Sequence, residues 1–256
     1  MIRPMFPISD ENERGHGPAF VSLAIIGLNI LVFLVLQGAG ASVEGEKFTY
    51  GFSAVPLEIT TGVDLTEPEP ITVDGQPVEV PQEPGPTPIW LTLLTSMFMH
   101  GGLLHLAGNM LFLWIFGDNV EHRIGHLPYL AFYLVAGVIA SFAQILVDTD
   151  SVIPTLGASG AISGVLGAYL VMFPTNRVTV FLFRFLTPVP AIVAIGMWAV
   201  LQFISGFGSI GVDQGGGVAY MAHIGGFIAG VVAGLAFRAA FHEPRRPRGT
   251  PRSLYG

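Results

Sequence analysis

A serine hydroxyl becomes a useful nucleophile only when a base within hydrogen-bond reach takes its proton. Two residues fit that requirement: Ser159, in Gly157-Ala158-Ser159-Gly160, and His223, in Ala222-His223-Ile224-Gly225-Gly226. Ser159 opens an apolar stretch. A helix N-terminus offers free N–H groups and partial positive charge to a developing oxyanion, and the flanking glycines leave room for a substrate backbone. The ordinary alternatives for this serine are an N-cap or a small residue that lets helices approach. For the histidine the alternative is a structural donor to a carbonyl of a neighbouring helix, although an ionisable residue inside an apolar span has a functional role as its default reading. Residues 159–173, 189–204 and 219–241 contain no Asp or Glu, so a dyad is expected and not a triad.

A second cluster comprises His100, His105 and Asn109. His105 and Asn109 are four apart and share a helical face, while His100 is expected to point elsewhere. Two donors on one face near Ser159 would bind an oxyanion, a contribution of about 3 to 4 kcal/mol per donor. The alternative is a polar helix start hydrogen-bonded at the interface. A metal reading of His100, His105 and His223 lacks the His-Glu-x-x-His spacing of zinc proteases and a carboxylate to act as base. No metal and no cofactor is expected. The chain has no cysteine, which removes thiolate chemistry and disulfides.

The elements that position these residues are legible in the composition. Of 256 residues, 51% are hydrophobic and 11% charged, against about a quarter charged in a soluble domain. Six apolar stretches stand out, at about 19–37, 103–117, 127–147, 159–173, 189–204 and 219–241. Lipid offers no partner to backbone polar groups, so such runs must be helices, and they are too long for a barrel. The expected fold is an all-α membrane protein, a six-transmembrane-helix bundle. Arg3, Arg14, Arg123, Arg177, Arg184, Arg238 and the four arginines of the tail then fall on one side, leaving Lys47 on the other. By the positive-inside rule the N- and C-termini are cytoplasmic.

The organisation expected is a cytoplasmic segment over 1–18, a membrane domain over 19–241 and a basic cytoplasmic tail over 242–256. Nine of the eighteen acidic residues lie between Glu44 and Glu83. The Pro-rich acidic insertion at about 63–88 is therefore read as a solvated, irregular excursion of the first external loop. The fourth span, about fifteen residues, reaches only about 22 Å of a roughly 30 Å hydrocarbon core. Pro174 closes one end, so the Ser159 end should lie below the external surface. Gly226, Gly230 and Gly234 recur every four residues and form one smooth face, matched by Gly160, Gly164 and Ala168. Packing these faces would bring Ser159 and His223 together.

The ordered set His100-Gly-Gly-Leu-Leu-His105-Leu-Ala-Gly-Asn109, Gly157-Ala-Ser159-Gly160 and Ala222-His223-Ile-Gly-Gly226-Phe-Ile-Ala-Gly230 resembles the rhomboid family of intramembrane serine proteases over about residues 90–235. The resemblance implies that Ser159 attacks the scissile carbonyl and His223 acts as base and then acid. It implies that His105, Asn109 and the Ser159 N–H hold the oxyanion. Glu121 would be structural in a polar network below the second helix, and Gly226 and Gly230 would be the helix-packing pair. His100 is taken as structural. The chain departs from the family pattern at two places. Trp90 is followed by Leu91 where many members carry Trp-Arg, and Ser163 stands where some members have an aromatic on the catalytic histidine. Tyr220, one turn before His223, is a candidate replacement for that support.

The activity implied is serine-type endopeptidase action on peptide bonds in or beside transmembrane helices of membrane-protein substrates. Trp198, Gln202, Phe203 and the connection 205–219 are candidate gates. The alternatives are a rhomboid-like protein that binds transmembrane clients without cutting them, and a small transporter. The expected partners are transmembrane protein substrates and the lipid bilayer, with no nucleic acid. With no organelle-targeting segment read, a multi-pass location in a prokaryotic plasma membrane is expected.

Overall fold

The computed structural model describes residues 6–11, 17–73, 75–182, 185–209 and 218–240. Each of the six apolar stretches contains a helix. The first is α1 (Phe20–Leu31), extended by a π-helical turn over Val32–Leu36. A long first loop follows with α2 (Val43–Phe52), α3 (Pro56–Thr61) and α4 (Thr92–Thr95). The remaining helices are α5 (Leu103–Ile124), α6 (His126–Ile145), α7 (Ser159–Met172), α8 (Ala191–Ser209) and α9 (Tyr220–Ala240). Among the described residues, α5, α6 and α9 are long and apolar enough to cross a membrane, while Phe20–Leu36, Ile89–Phe98, Ser159–Met172 and Ala191–Phe207 are shorter apolar helices. The second stretch runs on past 117 to Ile124, where Gly125, at φ 89°, supplies the left-handed turn into α6.

α7 is the axis of the bundle. Every residue from Gly160 to Tyr169 is buried, as expected of a helix apolar on all sides and enclosed by others. It lies against α9 with almost no space between the backbones. A Cβ on Gly226 would overlap the Gly160 carbonyl, one on Gly230 would overlap the Gly164 carbonyl, and one on Gly234 would come within 2.9 Å of Ala168 Cα. Where hydrocarbon surrounds the helices, close packing replaces the hydrophobic effect as the driving force, so the absent side chains are what allow the contact.

The expectation of a purely helical fold needs amending, because the chain also carries two small sheets. β1 (Phe6–Asp10) lies near the N-terminus, and β2 (Glu69–Val73) and β3 (Gln76–Val80) form a hairpin inside the acidic excursion, turning at Gly75. The excursion is thus ordered into a hairpin, although its side chains are mostly exposed. β4 (Arg177–Leu182) and β5 (Phe185–Pro190) follow α7, and the antiparallel order is β1-β4-β5. Val178 and Val180 point into the core. The segment from Arg177 is rich in β-branched and aromatic residues, which suit a pleated, half-buried surface. Its pairing partner lies at the far end of the sequence, beyond the reach of local periodicity.

The first loop is tied down at several points. Ser42 caps α2 by accepting from Gly45 N–H at 3.0 Å, with Glu44 and Glu46 in the first turn where negative charge suits the helix dipole. Trp90 is exposed, yet its Nε1–H donates to the Ile59 carbonyl at 3.2 Å. Thr95 donates to the Phe52 carbonyl at 2.8 Å. The tail 242–256 and the stretch 210–217 within the 205–219 connection lie outside the described residues.

Candidate active site

Ser159 is the first residue of α7. The chain enters the helix through Gly157, whose φ of 124° is hostile to any side chain; a Cβ there would sit 2.9 Å from the His105 ring. Gly157 N–H donates to the Ser96 carbonyl at 2.8 Å, which fixes the approach. His223 is in the first turn of α9. The α7–α9 glycine contact brings its Nε2 to 2.8 Å from Ser159 Oγ. The other ring nitrogen, Nδ1, is 2.8 Å from Gln202 Oε1 on α8.

His105 lies in the first turn of α5 with its ring over Gly157, beside Ser159. Gly101 N–H donates to His105 Nδ1 at 3.2 Å. An accepting Nδ1 leaves the proton of the neutral ring on Nε2, the nitrogen on the Gly157 side. Asn109, one turn further along α5, is buried, and its amide nitrogen has no hydrogen-bond partner among the described residues. A buried amide donor without a partner costs free energy, so such a group is suited to an acceptor that arrives with a ligand.

His100 does not point away from this cluster. Its ring meets that of His105 edge to face, with centroids 5.1 Å apart, and its backbone exchanges two bonds with the Gln37 side chain at 2.9 and 3.0 Å. Helical spacing misplaced it because residues 99–102, which join it to α5, are not helical. His100 therefore buttresses His105. No group of three His, Asp or Glu side chains is arranged to hold a metal ion among the described residues.

Glu121 lies far along α5 from the Ser159–His223 pair, fully buried. Its carboxylate accepts from Val21 N–H at 2.8 Å and from Ser22 N–H and Oγ–H at 2.7 Å. Ala19 supplies no side-chain cap to α1, so Glu121 satisfies the orphan donors of that helix from a neighbouring one. Ser163 donates to the Ser159 carbonyl at 2.6 Å and does not reach the imidazole. Support for His223 comes instead from α8, through Trp198 at 6.2 Å and Gln202, and from Tyr220, edge to face at 6.5 Å. The bond to Gln202 was not anticipated. The available signal was a polar residue in an apolar helix, four residues from Trp198 and so on its face.

A cavity of about 30 Å³ adjoins Ser159, lined by Ser141, Gln144, Thr155, Gly157 and Ala219 among others. That is room for a water molecule, and the lining carries hydroxyl and amide groups to hold it.

The family model described as Rhomboid domain matches residues 88–240, more than half of the chain. This protein belongs to the rhomboid family. It is 39% identical to the rhomboid protease GluP of Bacillus subtilis over 152 residues, 59% of this chain and 28% of that protein. It is 31% identical to the mitochondrial rhomboid protein 1 of Saccharomyces cerevisiae over 163 residues, 62% of this chain and 45% of the relative. The RHOMBOID-like protein 5 of Arabidopsis thaliana shares 32% over 143 residues, 56% and 42% of the two chains. The matched regions thus span less than half the length of each of these relatives. Ser159, His223, His105, Asn109, Glu121 and the packing glycines all fall inside the rhomboid domain. The acidic hairpin and β1 fall outside it.

Proposed function

We propose that this rhomboid protein is an intramembrane serine endopeptidase that hydrolyses peptide bonds in or beside transmembrane helices of membrane-protein substrates. The observation that carries the reading is the 2.8 Å contact between Ser159 Oγ and His223 Nε2 across the α7–α9 glycine interface, a nucleophile within reach of a base. Ser159 Oγ attacks the scissile carbonyl carbon as its proton passes to His223 Nε2. The carbonyl oxygen becomes an oxyanion facing His105 Nε2–H, the Asn109 amide and the Ser159 N–H. His223 then gives its proton to the leaving nitrogen. A water enters, loses a proton to His223 and attacks the acyl-enzyme, which frees the carboxylate product and restores Ser159. The substrate bond must leave its helix to be reached, which favours small or helix-breaking residues near the cut.

In this reading the six apolar helices span the bilayer with both termini cytoplasmic, and Ser159 lies at depth because α7 is short. The same reading takes 1–18, 19–241 and 242–256 as cytoplasmic segment, membrane domain and basic tail. Because the relatives include bacterial and mitochondrial proteins, family membership assigns the chain to a membrane and not to one particular membrane.

The test is cleavage of a tagged single-span substrate by the purified protein in detergent, with Ser159→Ala and with a chelator as the two arms. Cleavage lost in Ser159→Ala and retained with chelator is the expected result. Folded wild type that leaves several such substrates intact but co-purifies with them would replace this reading with client binding; sensitivity to the chelator would replace the serine mechanism with a metal one.

A further inference from the structure

The bond from His223 to α8 has a consequence for the base itself. A neutral imidazole carries one N–H and one lone pair. To take the Ser159 proton, Nε2 must hold the lone pair and Nδ1 the hydrogen. With the opposite tautomer, Nε2–H would donate to Ser159 Oγ and the serine proton would have nowhere to go. Whatever faces Nδ1 therefore decides whether the pair can react. That group is Gln202 Oε1, at 2.8 Å, an acceptor that demands a donating Nδ1–H. Trp198, one turn earlier on the same face of α8, adjoins the same imidazole. Among the described residues, the other polar groups around the ring are Ser159 on α7, His105 on α5 and Tyr220 on α9 itself. None of them is an acceptor placed at Nδ1.

Building on the reading of Ser159 and His223 as nucleophile and base, we propose that Gln202 is a positioning residue that sets the tautomer and ring orientation of His223. The hydrogen-bonded line then runs Gln202–His223–Ser159 across α8, α9 and α7. When Ser159 attacks, its proton goes to Nε2, while the Nδ1 hydrogen stays on the ring and is donated to Oε1 throughout. No proton moves to Gln202. An amide accepts from both the neutral and the cationic ring but supplies no countercharge, so its contribution is orientation. The same amide turned over would present its NH2 to Nδ1 and enforce the unreactive tautomer, which makes the direction of Gln202 as important as its presence.

The experiment uses the full chain in detergent as wild type, Gln202→Met and Gln202→Glu. Three readouts are taken: kcat and KM on a single-span substrate, the rate of covalent labelling of Ser159 by a fluorophosphonate, and the ¹⁵N signals of the His223 ring, assigned by difference against His223→Ala. Met matches the bulk of Gln but has no oxygen acceptor. It should lower kcat by roughly 10- to 100-fold with KM little changed; this is less than the roughly 10⁴-fold loss seen where a substituted group enforces the wrong tautomer, because Met enforces neither. Labelling should slow by the same factor. Gln202→Glu restores an acceptor at the same reach and should recover most of both rates. The wild-type ring should show its hydrogen on Nδ1. A Met variant as fast as wild type, a Glu variant as slow as the Met variant, or a wild-type ring protonated on Nε2 would each overturn the proposal. A wild type that neither cleaves nor labels would instead overturn the protease reading, and the ring signals would still decide the role of Gln202.

Discussion

Gly230 of α9 lies so close to the Gly164 carbonyl of α7 that a methyl group on it would overlap the oxygen. The contact is between two backbones, so no side-chain rotation can relieve it. Gly230→Val should lower stability by about 3 kcal/mol, the upper end of what overpacking costs, because one of two rigid helices must move. Gly27→Ala on α1 is the matched control: nothing lies within 4 Å of its added carbon, so it should be neutral or slightly stabilising. Thermal unfolding of both variants in detergent checks this. Equal midpoints for Gly230→Val and wild type would mean that α7 and α9 are not held at this distance.

Glu121 and Ser22 make a different kind of tie. The carboxylate takes three hydrogen bonds from the first turn of a helix that lacks a cap of its own. Gln at 121 has the same shape but brings an NH2 group to face N–H donors. Glu121→Gln should therefore destabilise by about 2 kcal/mol, the scale of hydrogen bonds to a charged group. Since Glu121 is remote from Ser159, kcat of the folded fraction should stay at the wild-type value. A fall in kcat with an unchanged unfolding midpoint would contradict a purely structural role.

These two ties differ in how readable they are from sequence. The α7–α9 register is legible because a four-residue glycine period on one stretch meets the same period on another, and one contact then aligns the rest. The meeting of Ser159 and His223 follows from that alignment. The Gln202 contact depends on how α8 is rotated about its own axis, which apolar periodicity does not specify in a helix whose exposed residues (Ile192, Val200, Ile204) are as apolar as its buried ones (Ile195, Ala199). The place of His100 beside His105 depends on a non-helical segment to which helical spacing does not apply. The pairing of β1 with β4 joins Asp10 to Val178, and no local pattern near either strand announces the other.

In the protease reading, the Asn109 amide, without a partner among the described residues, and the His105 ring make a quantitative prediction about the oxyanion. Asn109→Ala and His105→Ala should each lower kcat by roughly 10²-fold or more, with KM nearly unchanged, because the donors meet the negative oxygen only in the transition state. The double variant should lose less than the product of the two factors, since both serve one oxygen. Steady-state kinetics on a single-span substrate decides the point. A change in KM alone would mean that these residues bind substrate and do not stabilise the oxyanion.

Asp10 sits where β1 meets the far end of α7, accepting from Tyr169 O–H and from the Asn119 amide, each at 2.6 Å. Burial is the main cause that pushes its carboxyl from 3.8 up to about 7; the Tyr169 and Asn119 bonds oppose the rise and the neighbouring Asp118 adds to it. The folded chain thus keeps a proton on Asp10 over a range in which the unfolded chain has released it. With the folded value raised, the stability this proton contributes is complete below about 3.8 and is lost as pH rises through about 7. Glu58 in α3 acts in the same direction, raised to about 7 chiefly by burial. Between pH 4 and pH 7 the unfolding midpoint should therefore fall with rising pH as far as these two groups govern it. Asp10→Asn keeps an acceptor for Tyr169 and Asn119 but cannot ionise, so it should reduce that slope, and adding Glu58→Gln should reduce it further. If Asp10→Asn retained the full wild-type slope, Asp10 would already be ionised in the folded protein, and the β1 anchor would be a charged contact at neutral pH.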